Sequence, residues 1–179
     1  MENKTTDWIQ TFTGKQFFPL EPDIELIDLM DIAHALSLQC RFAGHCRHFY
    51  SVGQHSLIVA SLAPPEYILE ALLHDAAEAY LGDISRPVKA FMRDYRFAEF
   101  RLRLAIEERF SLKKDNQALI HRLDDTVLYW EGKYLMPDVA VWNIAKPIQE
   151  IEAHHFVPSS SVSVRDAFLN MARKELERR

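Results

Sequence analysis

Residues 70–83 read EALLHDAAEAYLGD, and the place of their polar groups decides how the chain is read. The segment is apolar on nearly every side, the mark of a helix buried all round. Yet His74 stands next to Asp75, and Glu78 follows one turn later. On a helix, residues three and four apart share a face, so all three project over one patch. Burying unpaired carboxylates is costly or forces them to neutralise. A hydrogen-bonded core cluster satisfies a lone histidine. A His-Asp pair with a further carboxylate is met more readily by a divalent cation, for which imidazole and carboxylate are good ligands.

The rest of the chain gives that helix a setting. A length of 179 residues fits one domain over 1–179 with a proper core. A composition 48% hydrophobic and 26% charged is that of an ordinary globular protein. No run of about 18 apolar residues suggests a membrane span. The start, MENKTTDWIQ, lacks the basic and then apolar pattern of a secretory signal. Cys40 and Cys46 do not make a disulfide framework, so a reduced, cytoplasmic protein is expected. A net charge of -5 argues against a nucleic-acid polymer as partner but leaves room for a small anion in a locally basic pocket.

With only 5 Gly and 8 Pro, and apolar residues mostly at helical spacing, the chain reads as all-α apart from its beginning. There WIQTFTGKQFFPL predicts a small N-terminal β-hairpin turning at Thr13-Gly14-Lys15. Helical pattern begins near Asp28, and CRFAGHCRHFY follows as a loop. Ser51-Val52-Gly53-Gln54 has the form of a capping box and opens a helix that runs to Pro64-Pro65. The helix carrying the opening motif starts after those prolines and stops near Gly82. Pro87 falls in the first turn of a short helix. Longer helices are expected at about Arg96–Phe110, Gln117–Leu135 and 164–177. The stretch MPDVAVWNIAKP reads as irregular, and VPSSSVSV as a turn-rich connection.

Further ligands are available on two other helices. His55 shares a face with Val52, Val59 and Leu62, and so points to the core. Near residue 124, Asp124 has Ile120 and Leu128 four residues to either side, whereas Asp125 has His121 and Tyr129, so periodicity turns Asp124 inward. Two histidines and two carboxylates from three helices leave coordination positions open, the layout of a catalytic metal site.

The ordered set His55, His74-Asp75 and Asp124 resembles the signature of the HD-domain metal-dependent phosphohydrolases. CRFAGHCRHFYSVGQHS, LLHDAAEAYLGDISRPVK and HRLDDTVLYWE resemble the bacterial 5′-deoxynucleotidase branch and its small prophage-encoded relatives, over roughly residues 8–135. The resemblance implies an HD-domain helical bundle. It also implies one divalent ion (Mn, Co, Zn, Ni or Fe, with Mg as a further option) held by His55, His74, Asp75 and Asp124. Such an ion polarises a phosphoryl oxygen and lowers the pKa of a water from near 16 toward ~7.

By the same resemblance, Glu78 handles a proton or orients the attacking water, and Asp83 lies near the sugar and leaving oxygen. Arg41 belongs to an Arg–aromatic pair that contacts phosphate and sugar, a guanidinium being suited to bidentate grip on phosphate. Phe42 stands where the deoxynucleotidases carry Trp, an aromatic that excludes a 2′-hydroxyl. Lys89 matches a phosphate-neutralising lysine. His45 and His48 are candidates to protonate a leaving group or touch phosphate. Glu131 matches a position without an assigned role. His154-His155 reads as a surface helix end, and the irregular spacing of Cys40, Cys46 and their neighbouring histidines argues against a structural zinc.

The expected function is hydrolysis of a small-molecule 2′-deoxynucleotide, deoxynucleoside monophosphate to deoxynucleoside and phosphate. The alternatives are a deoxynucleoside triphosphate triphosphohydrolase, acting for example on dATP, and a non-catalytic, phage-type binding module. A two-metal cyclic-nucleotide phosphodiesterase fits less well, because its extra ligands are not evident. Relatives in the family are often homo-oligomers, which the apolar helix faces permit.

Overall fold

A computed structural model describes residues 7–137 and 144–179. It is mostly helical, with one two-stranded antiparallel hairpin. Strands β1 (Ile9–Gln10) and β2 (Gln16–Phe17) pair Ile9 with Phe17 across a turn at Gly14. The hairpin is pinned by polar contacts and one ring. Thr13 donates its N–H and its hydroxyl to the two oxygens of Asp31, at 2.7 and 2.9 Å. Lys15 pairs with Asp28 at 2.8 Å, and Phe17 stacks on Tyr80 with centroids 4.3 Å apart.

Helix α1 (Leu29–Leu38) starts where expected, Asp28 accepting from the Met30 N–H. Helix α2 (Val52–Leu62) is capped by Ser51, whose hydroxyl accepts from the Gln54 N–H at 3.1 Å. The capping box is only half made. Gln54 does not return to Ser51; its amide donates to the carbonyls of His155 and Val157, tying α2 to the approach to the last helix.

The segment of the opening motif is not one helix. Two short pieces, α3 (Ile68–Leu72) and α4 (Glu78–Leu81), are separated by turns over 73–77. Across the break the bonds tighten to three-residue closures, Ala76 N–H to Leu73 O and Glu78 N–H to Asp75 O, both 3.0 Å. His74 and Asp75 therefore sit in a turn instead of on a helical face. Gly82, at φ +82, ends α4 as expected, and the Tyr95 hydroxyl donates to its carbonyl at 2.7 Å.

Helix α5 (Arg86–Lys89) carries Pro87 in its first turn. Helices α6 (Arg93–Arg109) and α8 (Ser161–Glu177) each begin three residues earlier than expected, and α7 (Gln117–Leu135) matches its expected bounds. Ser160 caps α8, so the connection expected over 157–164 ends there. Of the stretch expected to be irregular, 136–137 and 144–147 are neither helix nor strand, and the remainder lies outside the described residues. No helix among the described residues is long and apolar enough to cross a membrane.

Helix α1 packs on α8, α2 and α4, while α2 also meets α3, α7 and α8. Ile32, Leu36, Tyr50, Leu69, Leu72, Leu102, Leu123, Phe156 and Phe168 fill the space between them and are fully buried. The close approach of α1 and α2 depends on Gly53. A Cβ there would lie 3.0 Å from Val164 Cγ1 and 3.2 Å from both the Leu36 carbonyl carbon and the Ser37 nitrogen. Two of those neighbours are backbone and cannot turn away. Gly53→Ala gains up to about 1 kcal/mol of helix propensity, but the overpacking costs about 1–3 kcal/mol. Net destabilisation is expected in chemical denaturation; a variant as stable as the parent would show that α1 can retreat.

Candidate metal centre

Helices α2 and α7 and the turn between α3 and α4 bring His55, His74 and Asp124 into one cluster, with Asp75 beside the two histidines but outside the mutually close set. His55 comes from the buried face of α2 and has no solvent contact. Asp124 faces inward on α7, as periodicity requires, and places Oδ1 3.2 Å from His55 Nε2. Asp75 Oδ2 lies 3.2 Å from His74 Nε2 and 3.7 Å from His55 Nε2, and the two Nε2 atoms are 3.3 Å apart. Ligand atoms of His55, His74 and Asp124 all lie within 4.8 Å of one another. Two donors about 2.0–2.2 Å from one ion are separated by about 3.0–3.4 Å, so the spacings suit a shared cation.

The orientation of both rings is set by their other nitrogens. His74 Nδ1–H donates to the Ala71 carbonyl at 2.7 Å, and His55 Nδ1–H donates to Glu131 Oε1 at 2.7 Å. Each imidazole is thereby held with Nε2 toward the cluster, the arrangement metal-ligating histidines adopt. Glu131, without an assigned role in the sequence, is fully buried and holds a second group as well: Arg41 donates to its Oε2 at 3.0 Å. The signal was available. Glu131 is seven residues from Asp124 and four from Val127, on the inward face of α7.

Charge shows why the cluster could hold a cation. Burial would lower His74, but the adjacent Asp75 carboxylate raises it to about 9. Burial and Arg41 oppose charge on His55, and the Glu131 and Asp124 carboxylates outweigh them and raise it. Burial would raise Asp75 and Asp124, yet the histidines hold both well below the usual carboxylate range. Burial likewise opposes ionised Glu131, which Arg41 and His55 keep low. Without an ion the cluster neutralises itself with protons on imidazoles, and a divalent ion offers the same compensation.

In front of the cluster a cavity of about 1420 Å³ is lined by His74, Asp75 and Asp124 together with Arg41, Phe42, Glu78, Asp83 and Lys89. Burial, Asp75 and Asp83 push Glu78 up to about 9 against the pull of Lys89, whose ammonium donates to Glu78 Oε1 at 3.1 Å. Burial and Asp75 also raise Asp83. Phe42 and Ala43 have left-handed backbone, φ 56 and 51, conformations that cost about 1–3 kcal/mol each and collect at functional sites. The strained turn places the Phe42 ring in the cavity wall with the Arg41 guanidinium carbon 5.3 Å from its centre.

Arg86, which the sequence did not single out, bridges Asp124 Oδ2 at 2.8 Å and Asp125 Oδ1 at 3.0 Å. His121, Asp124 and Asp125 form a second set of close donor atoms, but Arg86 already meets both carboxylates. The other sequence candidates lie elsewhere. His45 is exposed and does not line the cavity, and His48 bonds the Phe156 carbonyl at 2.9 Å. His154 pairs with Glu152 on the surface beside His155. The two cysteines are free and belong to no donor cluster among the described residues.

No known protein-family model matches the chain. It is similar to the uncharacterized protein YfdR of Escherichia coli, 37% identical over 152 residues that make up 84% of this chain and 85% of that one. An uncharacterized protein of Rhodobacter capsulatus is 38% identical over 115 residues, 59% of each chain.

Calorimetric titration with Mn or Zn is expected to show one site per chain. Its affinity should fall as pH drops below about 9, because the proton on His74 must leave before Nε2 can ligate. Asp124→Asn should abolish the site, and Glu131→Gln should weaken it about 10–100-fold by loosening His55. Unchanged affinity in both variants would place the ion elsewhere.

Proposed function

We propose that this chain, which belongs to the family of the uncharacterized protein YfdR, is a metal-dependent phosphohydrolase acting on 2′-deoxynucleotides. One observation carries the reading. Two fixed imidazole Nε2 atoms and two carboxylates converge at the wall of a cavity that also presents Arg41, Lys89 and two carboxyl groups with raised pKa. The motif resemblance to the HD-domain enzymes supports the same class.

A divalent ion held by His55, His74, Asp75 and Asp124 would polarise a phosphoryl oxygen and supply an ionised water near neutral pH. The chain's own groups do the rest. Arg41, held by Glu131 and 3.7 Å from Asp75, sets a fixed positive charge beside the reacting phosphate. Water adds to phosphorus and the P–O bond to the sugar 5′ oxygen breaks. Glu78 holds and orients the attacking water, whose proton passes to solvent, and Asp83 protonates the departing oxygen, giving deoxynucleoside and phosphate. Burial raises the pKa of both groups, the direction that favours their protonated, proton-donating forms. The Phe42 ring, fixed by its strained backbone in the cavity wall, would pack on the deoxyribose, though it fills less space than the Trp of the deoxynucleotidases and so excludes a 2′-hydroxyl less completely.

The reading that differs in class is a binding module without turnover. Phosphate release from deoxy- and ribonucleoside monophosphates, with Mn, Co, Mg or Zn added, separates the two. Deoxy substrates are expected to react and ribo forms to lag, with activity falling by at least about 10³-fold in Asp75→Ala. Full activity in Asp75→Ala would end the metal-dependent reading, and no turnover with any ion would favour the binding module.

A further inference from the structure

We propose that Arg86 is a positioning residue for the metal ligand Asp124, holding one carboxylate oxygen so that the other faces the ion. The inference rests on the metal-dependent reading and adds to it a residue outside the expected ligand set.

The two oxygens of Asp124 have separate partners. Oδ1 lies 3.2 Å from His55 Nε2, on the side of the cluster, and Oδ2 accepts from Arg86 Nη2 at 2.8 Å. The other arm of the guanidinium, Nη1, donates to Asp125 Oδ1 at 3.0 Å. A planar fork with both arms engaged fixes the direction of each bond, which a single ammonium donor does not. Asp124 thus stands to Arg86 as His55 stands to Glu131 and His74 to the Ala71 carbonyl. In all three the atom turned away from the cluster is tied, and the atom turned toward it is presented for ligation.

Stability is a poor reason for the bridge. The Arg86 side chain is 56% exposed, and an ion pair open to solvent adds little to folding. What the bridge decides is register. Helix α5 is four residues long, has no side-chain cap and buries none of its residues, so packing does not hold it. Its end residues do. Arg86 reaches α7, while Lys89 reaches Glu78 on α4 and Glu99 on α6. Asp83 lies three residues before Arg86, so the same anchor registers the proposed acid of the leaving group against the metal ligand.

Competition and positioning lead to opposite results. If Arg86 occupied the ligand in place of the ion, its removal would tighten metal binding. If it orients the ligand, its removal leaves Asp124 free to turn and weakens binding. Titration of the intact chain with Co²⁺, followed by calorimetry and by visible absorption, separates the two. Arg86→Ala is expected to weaken Co²⁺ about 10–100-fold, the usual cost of losing a partner that orients a ligand, and to change the visible band that reports geometry around the ion. Arg86→Lys should recover part of the affinity through one donor to Oδ2. Asp125→Asn, which loosens only the outer arm, should cost less than Arg86→Ala. The urea midpoint of the metal-free chain should stay near the wild-type value in all three variants. Unchanged or tighter Co²⁺ binding in Arg86→Ala would overturn the proposal and leave the metal-dependent reading standing. So would a loss of affinity matched by a fall in the urea midpoint. No Co²⁺ binding by the wild-type chain would instead end the metal-dependent reading itself, and this role of Arg86 with it.

Discussion

Glu131 is a carboxylate wholly inside the protein, and the way its charge is met organises the site around it. One oxygen receives the His55 imidazole and the other the Arg41 guanidinium. Removing either partner would leave a buried charge uncompensated, a defect of about 3–5 kcal/mol. The two contacts also convert one residue of α7 into a positioning device for two other elements. His55 on α2 is turned so that Nε2 meets Asp124 and His74, and Arg41 is held at the cavity beside Asp75. A cation at the cluster and a phosphate in front of it would thus be registered against the same buried carboxylate.

Around that point the fold supplies rigidity on one side and strain on the other. Helices α2 and α7 pack directly, with Gly53 allowing α2 to close on α1. The other half of the site is irregular. The motif residues His74 and Asp75 occupy a turn, and Phe42 and Ala43 adopt left-handed backbone. In the turn the His74 ring bonds the Ala71 carbonyl, so the break in the helix is also what fixes the direction of Nε2. Irregular backbone next to a buried charge cluster is where a fold gives up local preference for geometry.

Much of this was legible in the sequence where periodicity and capping speak directly. Apolar neighbours placed His55 and Asp124 inward, Ser51 marked the start of α2, and α7 was bounded correctly. The break over 73–77 was not legible, because Leu, His, Asp and Ala are all compatible with a helix and no Gly or Pro announces it. Nor was the left-handed pair at Phe42-Ala43, since neither residue prefers that region. The pairing of Arg86 with Asp124 and Asp125, and of Lys89 with Glu78 and Glu99, joins residues ten to thirty-nine apart along the chain. Such contacts depend on how helices dock, which local pattern does not encode. Glu131 lies between these cases: its helical phase was readable, its two partners were not.

The central claim is that the buried polar patch is built for a cation. A crystal of the intact chain soaked with zinc, with diffraction recorded on both sides of the zinc absorption edge, tests it most directly. The account predicts one anomalous peak roughly 2.0–2.2 Å from His55 Nε2, His74 Nε2 and a carboxylate oxygen each of Asp75 and Asp124, with Arg86 displaced from the Asp124 oxygen it now holds or sharing that carboxylate. A cluster still closed on its own imidazole–carboxylate pairs, with no peak among them, would contradict it.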